Sequence, residues 1–123
     1  MDKVTLAIRV LLGLMMVVFG LNKFLDFMPP LDISGDGGTL IGIYFTSGFM
    51  KIIGTIEVVF GAALLLGKYV PLALTFLIAI LFNATIFHLL HDLPNIGPAI
   101  GALLMGLFLV YAHKVRFISL LSA

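Results

Sequence analysis

The chain has no cysteine, and only 11% of its 123 residues are charged. Without cysteine, disulfide exchange, thiolate catalysis and iron–sulfur ligation are excluded within this chain. A soluble domain of this size carries roughly a quarter of its residues as charged side chains, and this chain carries less than half of that. The net charge of +1 is too small to indicate nucleic-acid binding. Water is therefore not expected to be the main solvent of this protein.

Hydrophobic residues are abundant instead, at 62% of the chain, and the mean hydropathy is +1.25. They form four runs, each close to the ~20 residues that a helix needs to cross a ~30 Å hydrocarbon core. Lipid offers no hydrogen-bond partners for backbone polar groups, so a spanning segment must be a helix or a strand of a closed barrel. Four strands are too few to close a barrel, so we expect all four runs to be helices. The sequence predicts an all-α fold in one domain, 1–123: an integral membrane antiparallel four-helix bundle with helices at about 4–24, 49–67, 71–91 and 97–115.

Two further features bear on the ends of these runs. Pro71 and Pro98 mark the starts of the third and fourth helices, because the first helical turn tolerates a missing N–H. The first run has an alternative interpretation as a cleaved signal peptide. Arg9 interrupts its apolar core, and no small-x-small cleavage site follows before Asn22-Lys23, so we favour a retained helix.

The long link from Leu25 to Gly48 contains the sequence TLIGIYFTSG. Its apolar residues have the spacing of one helical face, and the segment is too short to span a membrane. We expect a short interfacial helix over Thr39–Phe45, on the outer side of the bundle. The alternative is an apolar loop packed against the bundle.

Lysine and arginine are distributed unequally between the two sides that four spans would create. Because cytoplasmic loops carry an excess of these residues, we expect both termini to be cytoplasmic and the long link to face outward. The cytoplasmic side would hold five cations and the outer side two: Lys3, Arg9, Lys68, Lys114 and Arg116 against Lys23 and Lys51.

A few polar residues interrupt the apolar runs, and Glu57 is the most conspicuous. It falls on a face of the second run that is marked by glycines and consists of Gly54, Glu57, Gly61, Leu64 and Lys68. The first run has a similar face, which consists of Arg9, Gly13, Met16, Gly20 and Lys23. Such spacing is typical of closely packed membrane helices. We therefore expect Glu57 to face the interior, at the depth of Asn83, and to contact a polar side chain of the first or third helix.

A charge inside a membrane costs roughly 2.5–3.5 kcal/mol on the lenient insertion scale, so it is expected to have a partner or a purpose. One hypothesis is a polar pocket for a proton or a small head group. The other is a hydrogen-bonded cluster that only fixes helix register. The candidate residues are Glu57, Asn83, His88, Lys23, Asn22 and the more distant Arg9.

His88, His91 and Asp92 have a spacing that a metal site could use. Two histidines at the interfacial end of a helix are a commoner arrangement, so these three are weak metal candidates. No nicotinamide, flavin or haem motif is present, and no catalytic residue can be named from the sequence.

Taken in order, several short motifs resemble the DoxX family of small bacterial membrane proteins. They are the early Arg9, GLNK with Asn22 and Lys23, a proline-rich outer segment, IEVVFGAALLLG around Glu57, YVPLAL, and Asn83 with His88. The resemblance implies a four-helix protein of the bacterial inner membrane. The founding member is similar to a subunit of a thiosulfate:quinone oxidoreductase, other members are associated with membrane oxidoreductase assemblies, and a remoter relative is an assembly factor. The bundle also resembles vitamin K epoxide reductase-like enzymes, but the lack of cysteine removes their chemistry.

Two hypotheses of function follow. The first is a redox-linked accessory subunit that holds a quinone-type head group near Glu57, Asn83 and His88, with a membrane or peripheral oxidoreductase subunit as partner. The second is a non-catalytic assembly or partner-binding protein of the bilayer whose polar core is structural. A cavity open to the outer leaflet would favour the first hypothesis, and a fully paired core would favour the second.

Overall fold

The computed structural model describes residues 2–29 and 32–121, and nearly all of this part of the chain is helical. The six α-helices within these two ranges are α1 (Lys3–Leu25), α2 (Gly35–Thr46), α3 (Phe49–Leu66), α4 (Val70–His91), α5 (Gly97–Ala112) and α6 (Lys114–Leu121). A single 3₁₀ turn, Leu93–Asn95, links α4 to α5. The prediction of an all-α fold is confirmed.

Three of the four predicted long helices begin and end within one residue of the expected positions. At the start of α1, the Asp2 Oδ1 accepts a hydrogen bond from the Thr5 backbone N–H at 2.7 Å, which satisfies one of the free donors of the first turn. Gly67 ends α3 with φ 69°, the left-handed conformation that glycine adopts most easily. Pro71 and Pro98 lie in the first turns of α4 and α5, as predicted.

The fourth predicted helix, 97–115, is wrong beyond Ala112. There the chain turns by 90° from α5 into α6. The backbone N–H of His113 and its ring Nδ1 both lie 2.9 Å from the Leu109 carbonyl oxygen. The backbone bond is the last regular i→i−4 bond of α5, and the ring nitrogen adds a second donor to the same carbonyl oxygen.

The segment between α1 and α3 contains α2, so the prediction of a helix over Thr39–Phe45 is confirmed and the alternative of a loop is wrong. The helix is longer than predicted because it begins at Gly35. It packs on α3 and α4. The contact is close at Gly37, where an added Cβ would lie 2.6 Å from the Cβ of His91.

The four longest helices are neighbours in the cyclic order α1, α3, α4, α5. Their buried apolar side chains form one core, in which the largest fully buried members are Leu12, Met16, Leu64, Leu74, Leu77 and Leu109. Helices α1, α3 and α4 are each long and apolar enough to cross a membrane, and α5 with α6 would make a fourth span if the bent pair counts as one. At most 28% of the most apolar window in those three helices is buried. Many of the remaining residues are large, exposed and apolar, which suits a lipid environment.

Candidate functional site

Glu57 lies on the buried face of α3, which consists of Gly54, Glu57, Gly61 and Leu64. The side of α1 that meets it contains the buried residues Gly13, Met16 and Gly20. These are the faces that the glycine spacing predicts. The prediction that Glu57 faces the interior is confirmed, since only 4% of the residue is exposed.

Two pairs of glycines allow α1 and α3 to approach closely. A Cβ added to Gly20 would lie 2.6 Å from the Gly54 carbonyl oxygen, and one added to Gly13 would lie 2.8 Å from the Gly61 carbonyl oxygen. Real Cβ atoms do not tolerate such distances from a backbone oxygen. The helices can therefore touch along this line only because both lack side chains there.

This close approach brings the Lys23 ammonium of α1 to the Glu57 carboxylate of α3. Nζ lies 2.5 Å from Oε1, and the two side chains are 15% and 5% exposed. The ammonium also lies 3.5 Å from the Phe19 carbonyl oxygen of its own helix. Among residues 2–29 and 32–121, no hydrogen-bond donor other than this ammonium reaches Oε1. The prediction of a direct polar contact between Glu57 and the first helix is confirmed.

Asn22, next to Lys23, holds the end of α1 in place. Its Oδ1 accepts a hydrogen bond from the Met28 backbone N–H at 2.8 Å. Its carbonyl oxygen accepts another from the Asp26 N–H at 2.9 Å, where Asp26 adopts a left-handed conformation with φ 52°. The side chain of Asn22 thus holds the segment that follows α1 against the last turn of the helix, next to Lys23.

Asn83 does not face Glu57, and the expectation that it points into the interior is wrong. The residue is exposed, and its Nδ2 donates to the Ala79 carbonyl oxygen of its own helix at 2.9 Å. The buried face of α4 contains Leu74, Leu77 and Leu81. Asn83 follows Leu81 by two residues, or about 200° around the helix, so its side chain leaves on the opposite side.

His88 also has a partner other than Glu57. Its Nδ1 lies 3.2 Å from Oδ2 of Asp92, a residue that is only 8% exposed. Asn95 donates to both carboxylate oxygens of Asp92, at 2.9 and 3.1 Å. This cluster secures the end of α4 and the 3₁₀ turn. Asn95 was not among the candidates, although its position three residues after Asp92 in a short link is a spacing typical of such turns.

His88, His91 and Asp92 are the candidate metal ligands, and the structure does not bring all three together. His91 is exposed and packs against Gly37 and the Phe87 ring, whose centroid is 5.5 Å from that of His91. In the part of the chain that the structure describes, no group of three or more histidine or acidic side chains converges. His88 and Asp92 remain a two-residue pair.

Arg9 lies near the other end of the molecule, beside the turn between α3 and α4. A Cβ added to Gly67 would lie 2.8 Å from Nη1 of Arg9, so the guanidinium packs directly on that turn. Arg9 and the Lys23–Glu57 pair are therefore separate features, as the distance along α1 predicts.

These positions place the Lys23–Glu57 ion pair and the His88–Asp92 contact in separate parts of the molecule, in place of one convergent polar site. Comparison with protein-family models gives a match to DoxX over residues 4–92, from α1 to the end of α4. Comparison with curated proteins and with solved structures gives no significant match.

Proposed function

This chain belongs to the DoxX family, and on that premise we propose that it is an accessory membrane protein that binds a partner membrane protein through the exposed face of α4. The family match and the apolar helices make it a membrane protein. Inside the bundle, the Glu57 carboxylate is engaged by the Lys23 ammonium. Engaged groups suit a structural role better than a catalytic one.

The proposed topology is an antiparallel bundle of α1, α3, α4 and α5 in a bacterial inner membrane, with both termini in the cytoplasm. Helix α2 would lie at the outer face, as an interfacial helix. Support comes from the cyclic packing of the four helices and from the excess of lysine and arginine on one side.

A labelling experiment tests this topology, because the chain has no native cysteine. Ser122, a natural choice at the carboxyl end, lies outside the described residues, so Ser119 of α6 takes its place. We expect Ser34→Cys to react with an impermeant thiol reagent in intact cells, and Ser119→Cys to react only after lysis. Because α5 has only 16 residues, this test also decides whether it crosses. Labelling of both positions from outside would show that it does not.

Asn83 is the observation that carries the proposed function. It lies eight residues before His91, or ~12 Å along α4, well inside a ~30 Å hydrocarbon core. Its carboxamide has two donors and one acceptor oxygen, and the bond to Ala79 uses one donor. If this amide faced lipid at this depth, its second N–H and its carbonyl oxygen would have no water to bond with, which costs free energy. A partner that covers this face would satisfy it.

The chemistry of this face indicates what the partner would be. Around Asn83, α4 exposes the small residues Thr75 and Ala79 and the large apolar residues Phe82 and Ile86. Small residues allow helices to approach closely, and asparagine forms hydrogen bonds between membrane helices. We therefore assign the partner as a transmembrane helix of another protein that presents a hydrogen-bonding side chain. A membrane oxidoreductase subunit is the candidate that the family resemblance suggests.

Site-specific crosslinking tests this assignment. We expect a photoreactive residue at Ile86, one turn from Asn83, to form an adduct with a heterologous membrane protein in cells. Asn83→Leu should abolish the adduct, because it removes the interhelical hydrogen bond while keeping the helix apolar. The matched control is the same probe at Leu104 of α5, which is 61% exposed on a different helix.

Three results would contradict the assignment. They are equal adducts at Ile86 and Leu104, an adduct that survives Asn83→Leu, and an adduct with the mass of two copies of this chain. The adduct partner identified by mass spectrometry must also contain a transmembrane helix with a polar residue at matching depth.

The redox-linked role remains a second candidate function, in which the protein holds a quinone-type head group. The specific observation in its favour is the Lys23 ammonium, which is buried enough to pair with Glu57 yet still 15% exposed. An acceptor oxygen of a head group could reach such a donor at the outer end of α1. Asn83 and His88 would contribute nothing to that site in the observed arrangement, since the first faces outward and the second is bound to Asp92.

A further inference from the structure

A groove opens at the end of the molecule where α1 begins and α5 ends. It has a volume of about 590 Å³, and its lining residues include Arg9, Gly67, Tyr69, Leu72, His113 and Arg116. Three separate elements thus contribute to it: α1, the turn from α3 into α4, and the bend from α5 into α6. It is far from Glu57, and none of its lining residues belongs to the Lys23–Glu57 pair or to the His88–Asp92 contact.

The charges of the protein are strongly segregated along its length. This end holds five of the seven lysine and arginine residues but one of the six acidic residues, Asp2. The Asp2 carboxylate already accepts the Thr5 N–H, and this hydrogen bond lowers its pKa. An anion that approaches the groove therefore meets an excess of positive charge.

Packing fixes the positions of two polar side chains of the groove, Arg9 and His113. The Arg9 guanidinium rests on Gly67, where any side chain would displace it. The His113 ring is held by its bond to the Leu109 carbonyl oxygen. Arg116 is an exposed residue of α6, which runs at 90° to α5, and it lines the same groove.

We propose that this groove binds the phosphodiester head group of an anionic phospholipid. Guanidinium groups bind phosphate oxygens in pairs, and Arg9 and Arg116 provide two guanidinium groups in one groove. The cytoplasmic leaflet is rich in anionic lipids, and basic pockets between membrane helices bind their head groups.

The rest of the groove favours a lipid over free phosphate. Tyr69 and Leu72, both exposed, supply aromatic and apolar surface that an acyl chain or glycerol backbone would contact and that an inorganic ion would not use. In helix α6, the three-residue spacing of Arg116 and Ser119 places them on one face, and the apolar residues Phe117 and Ile118 lie on the opposite face. A short amphipathic helix perpendicular to a span is the arrangement of a segment lying in the membrane interface.

Native mass spectrometry of the detergent-solubilised full chain tests the proposal. We expect phosphatidylglycerol to bind more tightly than phosphatidylcholine. The variant Arg116→Gln should bind phosphatidylglycerol about tenfold or more weakly, since a hydrogen bond to a charged group is lost. Arg116→Lys should bind at an intermediate level. The matched control is Lys51→Gln, which removes an exposed cation at the opposite end and should bind like the wild type.

Thermal stabilisation by the same lipids gives a second readout that does not depend on the gas phase. Equal binding of the two lipids, wild-type binding by Arg116→Gln, or an equal loss in Lys51→Gln would overturn the proposal. A third arm adds inorganic phosphate as competitor. If it displaces phosphatidylglycerol at equal concentration, the groove is a site for free anions and the lipid assignment is wrong.

Discussion

Replacement of Lys23 by methionine is expected to lower the free energy of unfolding by about 3–5 kcal/mol, the range seen when one partner of a buried ion pair is removed. The variant leaves the Glu57 carboxylate, whose side chain is 5% exposed, in the apolar interior without its ammonium. It must then remain charged at high cost or take up a proton. Methionine keeps the approximate length and apolar stem of lysine, so packing changes little.

Variants of Glu57 should have a smaller effect. In Glu57→Leu the remaining charge is on Lys23, near the end of α1 and already 15% exposed. A long flexible side chain in that position can extend its ammonium toward the interface. The double variant Lys23→Met/Glu57→Leu should recover most of the stability lost in Lys23→Met, and it should be close to the wild type or above it.

Reversible unfolding in mixed micelles, measured for the wild type, both single variants and the double variant, provides the thermodynamic cycle. Additive losses would contradict a structural ion pair. Glu57→Gln separates the two functional hypotheses in the same set. If the pair is only structural, this variant keeps its partners and ligands. If the protein holds a quinone-type head group, mass spectrometry should find that ligand in the wild type and not in Glu57→Gln.

The second large effect is expected at the contact between α1 and α3. Gly20→Ala should destabilise the protein by about 1–3 kcal/mol, the usual cost of overpacking. The new Cβ would meet the Gly54 carbonyl oxygen at 2.6 Å, a backbone atom that cannot move aside as a side chain could. The helices must therefore separate, and the Lys23–Glu57 distance must grow. The energetic coupling between these two residues should fall along with the stability.

Gly101→Ala in α5 is the matched control, because nothing lies within 4 Å of a Cβ added there. Alanine favours helix more than glycine by roughly 0.5–1 kcal/mol, so this variant should be as stable as the wild type or slightly more so. The same thermal and chemical unfolding measurements apply to both variants. Equal effects at Gly20 and Gly101 would show that helix propensity, and not the close approach of α1 and α3, determines the result.

The contact between α1 and α3 could be predicted because glycine and charge stand out in an apolar helix. Gly13, Gly20, Gly54 and Gly61 recur at helical spacing, and each lies where backbones touch. Glu57 falls on the same line, so its burial followed from its position alone. Two helix ends could also be predicted. Proline has a fixed φ that suits a first helical turn, so Pro71 predicts the start of α4. Glycine adopts the left-handed conformation easily, so Gly67 predicts the end of α3.

In helix α4, no line of glycine or charged residues marks the buried face. Its surface is apolar all round, as in a helix that meets protein on one side and lipid on the other, so hydrophobicity does not distinguish the two faces. Asn83 was expected inside because polar residues in spans usually face the interior. The structure shows that Asn83 lies opposite the buried residues Leu74, Leu77 and Leu81. The sequence could not show this, because leucine is as common on a lipid-facing surface as in the core. The bend at His113 was missed because no glycine or proline marks it.

The shortness of α5 has a consequence for the membrane itself. Its 16 residues rise only ~24 Å, against ~30 Å of hydrocarbon, whereas the 22 residues of α4 rise ~33 Å. With α5 as a span, the bundle has unequal hydrophobic thickness on its two sides. Lipids beside α5 must compress while those beside α4 need not, at a cost of a fraction of a kcal/mol per Å. The protein would thus deform its bilayer asymmetrically, and neighbours with short spans would relieve that deformation on the α5 side.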